Sequence, residues 1–517
     1  MKNEMKRILH TLFAGVLVRK AMYYSLFIIH FSLLLSCIDE VHYSIDPRMG
    51  LRFTADTIAF DTLFSGVGSS TGVFQVYNPN DVHLQVADIR LERGWESPFR
   101  VNVDGQYGVQ FSDVELRAGD SLYVFVEVTP PHFESDTPFE LADALVFTLS
   151  SGTTGRVVLT ASGWNAVVMR GVVLTSDTCL TARKPYLIYD SLVVAPDATL
   201  RLEAGAGLYF HDKAYLRVEG SLHALGSIDS IILFRGDRLD NMFSYLPYDQ
   251  VPGQWGGIVF GSTSKDNILM GCDIHSAHYG LRFETPDSFS VDTASVSFIL
   301  ANTKVYNVED DALYATLRSG TAINCLFGNA GSNCVDLLGG RYDFIHCTLA
   351  NFYSWVAGRG AALRIRNIDD DHLLYPMLGV RFANCIITGG GDDEIEGTMA
   401  DHSDTLDLSA YAQYAFTHSL INSTDEGNPH FTDNVWESPD STVWGEQNFR
   451  SFDHLTSAYD FHLDSLSRAR GIGDATWLPV APFDLDGLER DSLHIDAGCY
   501  QYSPDNFVGG APARRIL

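Results

Sequence analysis

Three stretches of this 517-residue chain carry side chains of the kind and spacing that could do chemistry. The first is Arg235-Gly236-Asp237-Arg238-Leu239-Asp240, which continues through Phe243, Tyr245 and Tyr248 to Trp255. A loop of about 20 residues with Arg–Asp pairs and aromatic rings can hold a sugar by ring stacking and bidentate hydrogen bonds, so Arg235, Asp237, Arg238, Asp240, Tyr248 and Trp255 are the ligand-binding candidates. The same letters also describe a loop clasped to its scaffold by its own ion pairs. The second is Gly389-Gly390-Gly391-Asp392-Asp393-Glu394-Ile395-Glu396. Neighbouring carboxylates can bind calcium or share acid and base work on a glycosidic bond, which makes Asp392 and Asp393 the weak catalytic candidates beside the plainer reading of a solvated acidic loop. The third is Arg364 and Arg366 with His346, a set that could serve elimination from a uronate if an acidic cation site shared their face. No such cluster is apparent along the chain, and no metal site or cofactor is expected apart from a possible calcium.

What must position these groups is a run of short strands. From Leu192 to Phe260, apolar triplets such as Leu192-Val193-Val194 and Leu200-Arg201-Leu202 alternate with glycine-marked corners, the rhythm of a parallel β-helix. A repeated word supports it. Asn302-Thr303-Lys304-Val305, Asn324-Cys325-Leu326-Phe327, His346-Cys347-Thr348-Leu349 and Asn384-Cys385-Ile386-Ile387 align with steps of 22, 22 and 38 residues. An earlier rung falls at Gly271-Cys272-Asp273-Ile274, and the long last step places an insertion within Gly358 to Tyr375. Equivalent side chains in such a stack lie about 4.8 Å apart, so Cys272, Cys325, Cys347 and Cys385 are expected as buried neighbours. Asn302, Asn324 and Asn384 are expected as an amide ladder at one corner, with His346 as a corner residue in line with them. No CxxC pair exists, so small apolar core residues are the expected role of the cysteines.

Residues 53–165 read differently. Period-two strands at 73–77, 84–91, 99–103, 122–128, 144–149 and 157–161 predict a β-sandwich, with a turn at Asn78-Pro79-Asn80 where proline lacks a ladder amide. The words FDTLFSGVGSSTGVFQVYNPN and SLYVFVEVTP resemble hydin-like, ASH-type immunoglobulin domains. Nothing in that domain looks catalytic.

The front end is an apolar run, residues 21–36, behind Arg19 and Lys20 and ahead of Cys37. Leu34-Leu35-Ser36-Cys37 resembles a bacterial lipobox, which implies a signal peptide over 1–36, lipidation of Cys37 and a linker over 37–52. Asp39-Glu40 resembles the surface-export signal of Bacteroidetes lipoproteins. Near the other end, Tyr459-Asp460-Phe461-His462-Leu463, Ser467-Arg468-Ala469-Arg470-Gly471, Asp484-Leu485-Asp486-Gly487 and Asp496-Ala497-Gly498-Cys499-Tyr500 resemble the closing coils of pectate-lyase-like β-helices. The expected β-helix therefore spans 171–505, with a tail over 506–517. Polygalacturonase-type members use an aspartate pair after a strand, but their further Asn-Thr-Asp and Gly-His-Gly motifs are missing here.

The expectation is thus an all-β chain, an N-terminal β-sandwich followed by a single-stranded right-handed parallel β-helix. The formal charge of -30 repels phosphate backbones and anionic lipid, which argues against nucleic-acid partners. The function expected first is a non-catalytic outer-membrane lipoprotein, held to the membrane by its lipid, with surface exposure implied by the Asp39-Glu40 resemblance. Its β-helix would bind a polysaccharide or dock on an envelope protein. A polysaccharide lyase or glycoside hydrolase, and an accessory subunit of an outer-membrane assembly, are the other readings.

Overall fold

The computed structural model describes residue 5 and residues 14–27, 42–287, 296–402, 407–437 and 445–504. Cys37, the expected lipidation site, lies outside them. No helix among the described residues is long and apolar enough to cross a membrane. The chain is all-β, a sandwich followed by a parallel β-helix. It divides into two compact units, Met1–Ile58 with Thr71–Glu127 and Ala142–Leu159, and Ala59–Ser70 with Val128–Leu141 and Thr160–Leu517.

The sandwich has two five-stranded sheets. One runs in the order Arg52–Phe53, Gly72–Tyr77, Ser121–Val128, Phe99–Val103, Gln106–Gly108. The other runs Thr57–Phe64, Thr154–Trp164, Phe139–Leu149, Leu84–Leu91, Gln110–Leu116. All six strands read from the sequence are present, because alternation of apolar and polar residues survives as alternation of burial; in Ser121–Val128 every second side chain is buried. The Asn78-Pro79-Asn80 turn is also a fastening. Asn78 is 1% exposed, and its Nδ2 donates to the carbonyls of Val82, Leu116 and Arg117 at 2.8, 3.1 and 2.9 Å.

The β-helix has three faces. Two belong to one 18-stranded parallel sheet, because the long strand Tyr186–Val194 pairs with Gly207–Phe210 through its first half and with Tyr215–Val218 through its second. The first face continues through Cys272–His275, Lys304–Val308, Leu326–Ala330, Thr348–Asn351 and Ile386–Gly389. The second continues through Gly257–Phe260, Leu281–Phe283, Leu313–Thr316, Val335–Leu338, Leu363–Arg366 and Ile395–Thr398. The third is a separate sheet of ten strands from Thr178–Leu180 to Phe431–Thr432. In-register stacking brings like side chains face to face inside: the rings of Phe344, Phe382, Phe416 and Phe431 follow one another with centroids 4.7, 4.9 and 4.4 Å apart.

The repeated word marks the corner between the third and first faces. Asn302, Asn324, His346, Asn384 and His418 all have left-handed backbones, with φ between 47° and 54°. Asparagine and histidine tolerate that region better than branched residues do, so the corner selects them. One residue on, the Cys325, Cys347 and Cys385 side chains are fully buried, as is that of Thr303. Hydroxyls in this ladder serve the neighbouring rung: Cys272 N donates to Thr303 Oγ1 at 3.4 Å and Cys385 N to Ser419 Oγ at 2.9 Å. The long step from Cys347 to Cys385 holds two loops rather than one insertion, since the strand Leu363–Arg366 sits inside the segment assigned to it.

The last strand of the first face is Val435–Trp436. The segment beyond it, read from the sequence as closing coils, folds back instead. Phe449–Asp453 and Ala458–Leu463 make an antiparallel hairpin. With Leu485, Ala497, Cys499 and Tyr500 they cover Leu326, Ala350, Ile386 and Leu420 on the outside of the first face. This clasp also satisfies the corner ladder: Arg490 Nη2 donates to Asn324 Oδ1 at 2.8 Å, and the backbone of Asp474 makes two bonds with the Asn384 amide. A first face that outlines apolar residues on both sides needs such a cover.

Candidate functional site

The loop between Ile232–Gly236 and Gly257–Phe260 is an insertion at the corner between the first and second faces of one turn. Its charged residues bond mainly to one another and to the scaffold. Arg235 is 8% exposed, and its guanidinium reaches the carbonyls of Gly236 and Arg238 and, at 2.7 Å, the carboxylate of Asp249. Arg238 forks onto Asp240 at 2.6 and 2.7 Å and lies over the Tyr248 ring at 4.0 Å. Burial alone would raise the Asp240 carboxyl, but the fork from Arg238 outweighs it and holds the group below its ordinary value. Asp237 bonds the His211 ring at 2.7 Å, and its burial pushes its carboxyl up. Trp255 is 1% exposed, stacked on Phe210 at 4.3 Å. What the loop exposes is a short hairpin, Asn241–Phe243 with Leu246–Pro247, on which Phe243 and Tyr245 stack with centroids 5.6 Å apart.

The acidic loop resolves into three unlike carboxylates. Asp392 is exposed. Asp393 accepts from Ile395 N at 3.0 Å in its own loop and from Thr424 Oγ1 at 2.8 Å in the loop of the next turn. Glu394 is fully buried and accepts four bonds, from Arg359 Nη2 and Nη1, Ala362 N and Gly391 N at 2.5, 3.1, 2.9 and 2.7 Å. It occupies the small-residue column held in other rungs by Gly280, Ala312, Cys334 and Ala362. The buried negative charge is why a half-buried arginine accompanies it. Among the described residues no group of three or more His, Cys, Asp or Glu side chains is placed to hold a metal ion.

The outside of the second face carries the arrangement best suited to a ligand. Register places Val259, Arg282, Tyr314, Asp336, Arg364 and Glu396 in one row across successive strands. The Arg282 guanidinium lies between two rings, 4.9 Å from Tyr279 and 5.1 Å from Tyr314. No carboxylate lies within salt-bridge distance of it among the described residues. Asp336, 3% exposed, takes Arg366 Nη2 at 2.8 and 3.0 Å on its two oxygens and has Arg364 at 3.8 Å. Burial raises its carboxyl while Arg366 opposes the rise. At the corner beside it, Asp311 accepts from Asn333 N and Nδ2 at 2.9 and 3.0 Å. Burial, and then the neighbouring Asp336 charge, push Asp311 up to about 7.

Arg364 and Arg366 thus lie on the strand expected for them, and the acidic partner not apparent in the sequence is Asp336, one rung away. Sequence reasoning missed Asp336, Arg282 and Tyr314 because the steps between them vary with the loops. His346 is a buried corner residue whose Nε2 meets the Asn384 amide at 2.9 Å, remote in role from any uronate chemistry. A second amide ladder, Asn307, Asn329 and Asn351, went unread although it repeats the same 22-residue spacing. All seven described cysteines are free, and only Cys179 is exposed.

No protein-family model matches the chain, and no curated protein matches it. Among solved structures, similarity is local. The ASH/PapD-like domain 7 of human CEP192 matches at 12% identity, over 25% of this chain and 94% of that one, with a TM-score of 0.17. A family 123 glycoside hydrolase from Clostridium perfringens matches at 7% identity over 23% of this chain and 30% of that one, TM-score 0.17. The VesB protease of Vibrio cholerae matches at 17% identity over 22% and 31%, TM-score 0.16. Overlaps of this size carry no argument about activity.

Proposed function

We propose that this chain is a non-catalytic, lipid-anchored envelope protein that binds a glycan along the open second face of its β-helix. The observation that carries the reading is the row built around Arg282. A guanidinium between two tyrosine rings, with no carboxylate paired to it among the described residues, offers a sugar both hydrogen bonds to its hydroxyls and apolar surface for its ring, and the parallel sheet repeats such positions every ~4.8 Å. The carboxylate next in the row, Asp336, is committed to Arg366, which favours holding a ligand over acid–base cleavage. In this reading the lipobox-like Leu34-Leu35-Ser36-Cys37 supports lipidation at Cys37 and attachment to the outer membrane, Asp39-Glu40 supports display at the surface, and the immunoglobulin-like sandwich is the spacer.

Docking on an envelope protein is the second reading, and it has its own observation. On the outside of the third face Leu225, Met270 and Ile299, with Ile228 and Ile231 at the neighbouring bend, are between 38% and 51% exposed. Such a group of apolar side chains favours a protein partner.

The test is binding of the intact protein to a panel of polysaccharides, with product analysis in the same samples. Saturable binding without cleavage, weakened at least tenfold by Arg282→Ala, is the expected result. Release of reducing or unsaturated ends would replace the binding role by an enzymatic one. Capture of a stoichiometric membrane partner that Met270→Glu abolishes, with no glycan retained, would establish docking instead. Cys37→Ala is expected to move the protein from the detergent phase to the aqueous phase.

A further inference from the structure

The insertion loop 237–256 is held to the β-helix by a buried chain of charges that no sequence motif announces. His275, on the first face, is fully buried. Its Nδ1 lies 2.6 Å from Asp273 Oδ1, two residues earlier on the same strand, and its Nε2 lies 2.7 Å from Asp249 Oδ1, which belongs to the loop. Asp249 in turn meets Arg235 Nη1 at 2.7 Å. On the neighbouring strand the register sets Lys304 beside Asp273. The Tyr306 ring stacks on the imidazole at 5.1 Å, Ser276 Oγ donates to the Asp249 carbonyl at 2.6 Å, and Asn307 Nδ2 donates to Gln250 Oε1 at 2.8 Å.

A neutral imidazole has one N–H and one lone pair. Set between two carboxylates at these distances, it would bond one and turn a lone pair toward the other. Both contacts are hydrogen bonds only when the ring carries two protons. The doubly protonated ring also sets a positive charge between the two carboxylates. Loss of the ring proton turns one of the two bonds into a lone pair facing a carboxylate and removes the positive charge between Asp249 and Asp273. The strand side of the cluster is fixed by the parallel ladder, so the side that yields is the loop. We propose that the Asp273–His275–Asp249 bridge is a protonation-dependent latch that pins loop 237–256, with its exposed Phe243–Tyr245 hairpin, to the β-helix and releases it on the alkaline side.

The sign of the effect follows from linkage. Burial alone would lower the His275 pKa, but the charges of Asp249 and Asp273 outweigh it and raise it. A group whose pKa is raised in the closed state contributes full stability below its ordinary value, and the contribution is lost as pH rises through the closed-state value. The opening constant of the loop is therefore expected to be flat at low pH, and then to rise by up to tenfold per pH unit until His275 loses its proton in the closed state.

The experiment uses the intact protein and does not depend on any glycan ligand. Amide-exchange protection factors for residues 241–250, which remove the intrinsic pH dependence of exchange, are measured from pH 6 to 9.5 alongside 15N spectra of histidine-labelled protein. The expected result is two N–H protons on His275 at pH 7 and a fall in loop protection of up to tenfold per unit on the alkaline side. In Asp249→Asn, altered on the loop side and leaving the strand intact, protection is expected to start at least tenfold lower and to be flat. A single N–H on His275 at pH 7, a flat profile in the unaltered protein, or an undiminished slope in Asp249→Asn would each overturn the latch.

Discussion

Consecutive carboxylates in the loop 392–394 give a sharp test of how the β-helix uses charge. Glu394→Gln keeps the shape of a fully buried side chain while removing its charge. It leaves Arg359, 17% exposed at its side chain, without a counter-ion. Four donors converge on the two oxygens of Glu394, so the glutamine NH2 group must face donors from Arg359 or from the backbone of Ala362 or Gly391. Removing one partner of a buried ion pair costs about 3–5 kcal/mol. With a urea dependence of roughly 3 kcal/mol per molar, that is a fall of about 1 M or more in the midpoint of the β-helix transition. Asp392→Asn, exposed and unbonded, is expected within about 0.5 kcal/mol of the unaltered protein. Asp393→Asn, which keeps one acceptor oxygen and so loses its bond to either Ile395 N or Thr424, belongs between, at about 1 kcal/mol. The assay is equilibrium urea unfolding of the four proteins, with and without calcium. A loss below about 1 kcal/mol for Glu394→Gln would refute the argument. So would equal losses for all three variants, or a calcium-dependent midpoint that Asp392→Asn abolishes, since these are the signatures of a solvated or cation-binding loop.

Two further outcomes follow from the same packing. Burial pushes the Glu437 carboxyl up to about 7, although Thr388 Oγ1 and Asn448 Nδ2 both donate to its Oε1 at 2.8 Å. A raised folded pKa means stability is present near pH 4 and lost as pH rises through 7. Glu437→Gln is therefore expected to flatten the fall in melting temperature between pH 5 and pH 8, and an unchanged fall would reject the assignment. Burial also holds the thiols of Cys272, Cys325, Cys347, Cys334 and Cys499 well above their ordinary range. A thiol reagent at pH 8 should modify Cys179 in the folded chain and the others only on unfolding; rapid labelling of Cys325 or Cys347 in the native protein would show that the ladder is not sealed.

The repeating elements were legible from the sequence because each is a local demand of the backbone. A corner that needs a left-handed residue every turn selects Asn302, Asn324, His346 and Asn384, and a strand that alternates in burial writes that alternation directly, as Ser121–Val128 does. These demands set the spacing of 22 and, with it, the parallel β-helix. What the tertiary structure alone decided is which side chains meet across rungs and what covers the outside. Loops of unequal length separate Arg282, Tyr314, Asp336 and Arg364 in sequence, and only hydrogen-bonded register returns them to one row. Residues 449–502 repeat the look of closing coils. They lie against the first face because that face presents Leu326, Ile386 and Leu420 outward and the Asn324 and Asn384 amides at its edge. The buried Glu394 and the His275 bridge were likewise invisible. A carboxylate or an imidazole has the same letter in water and in a core, and only its neighbours in space determine whether it is solvated, paired or protonated.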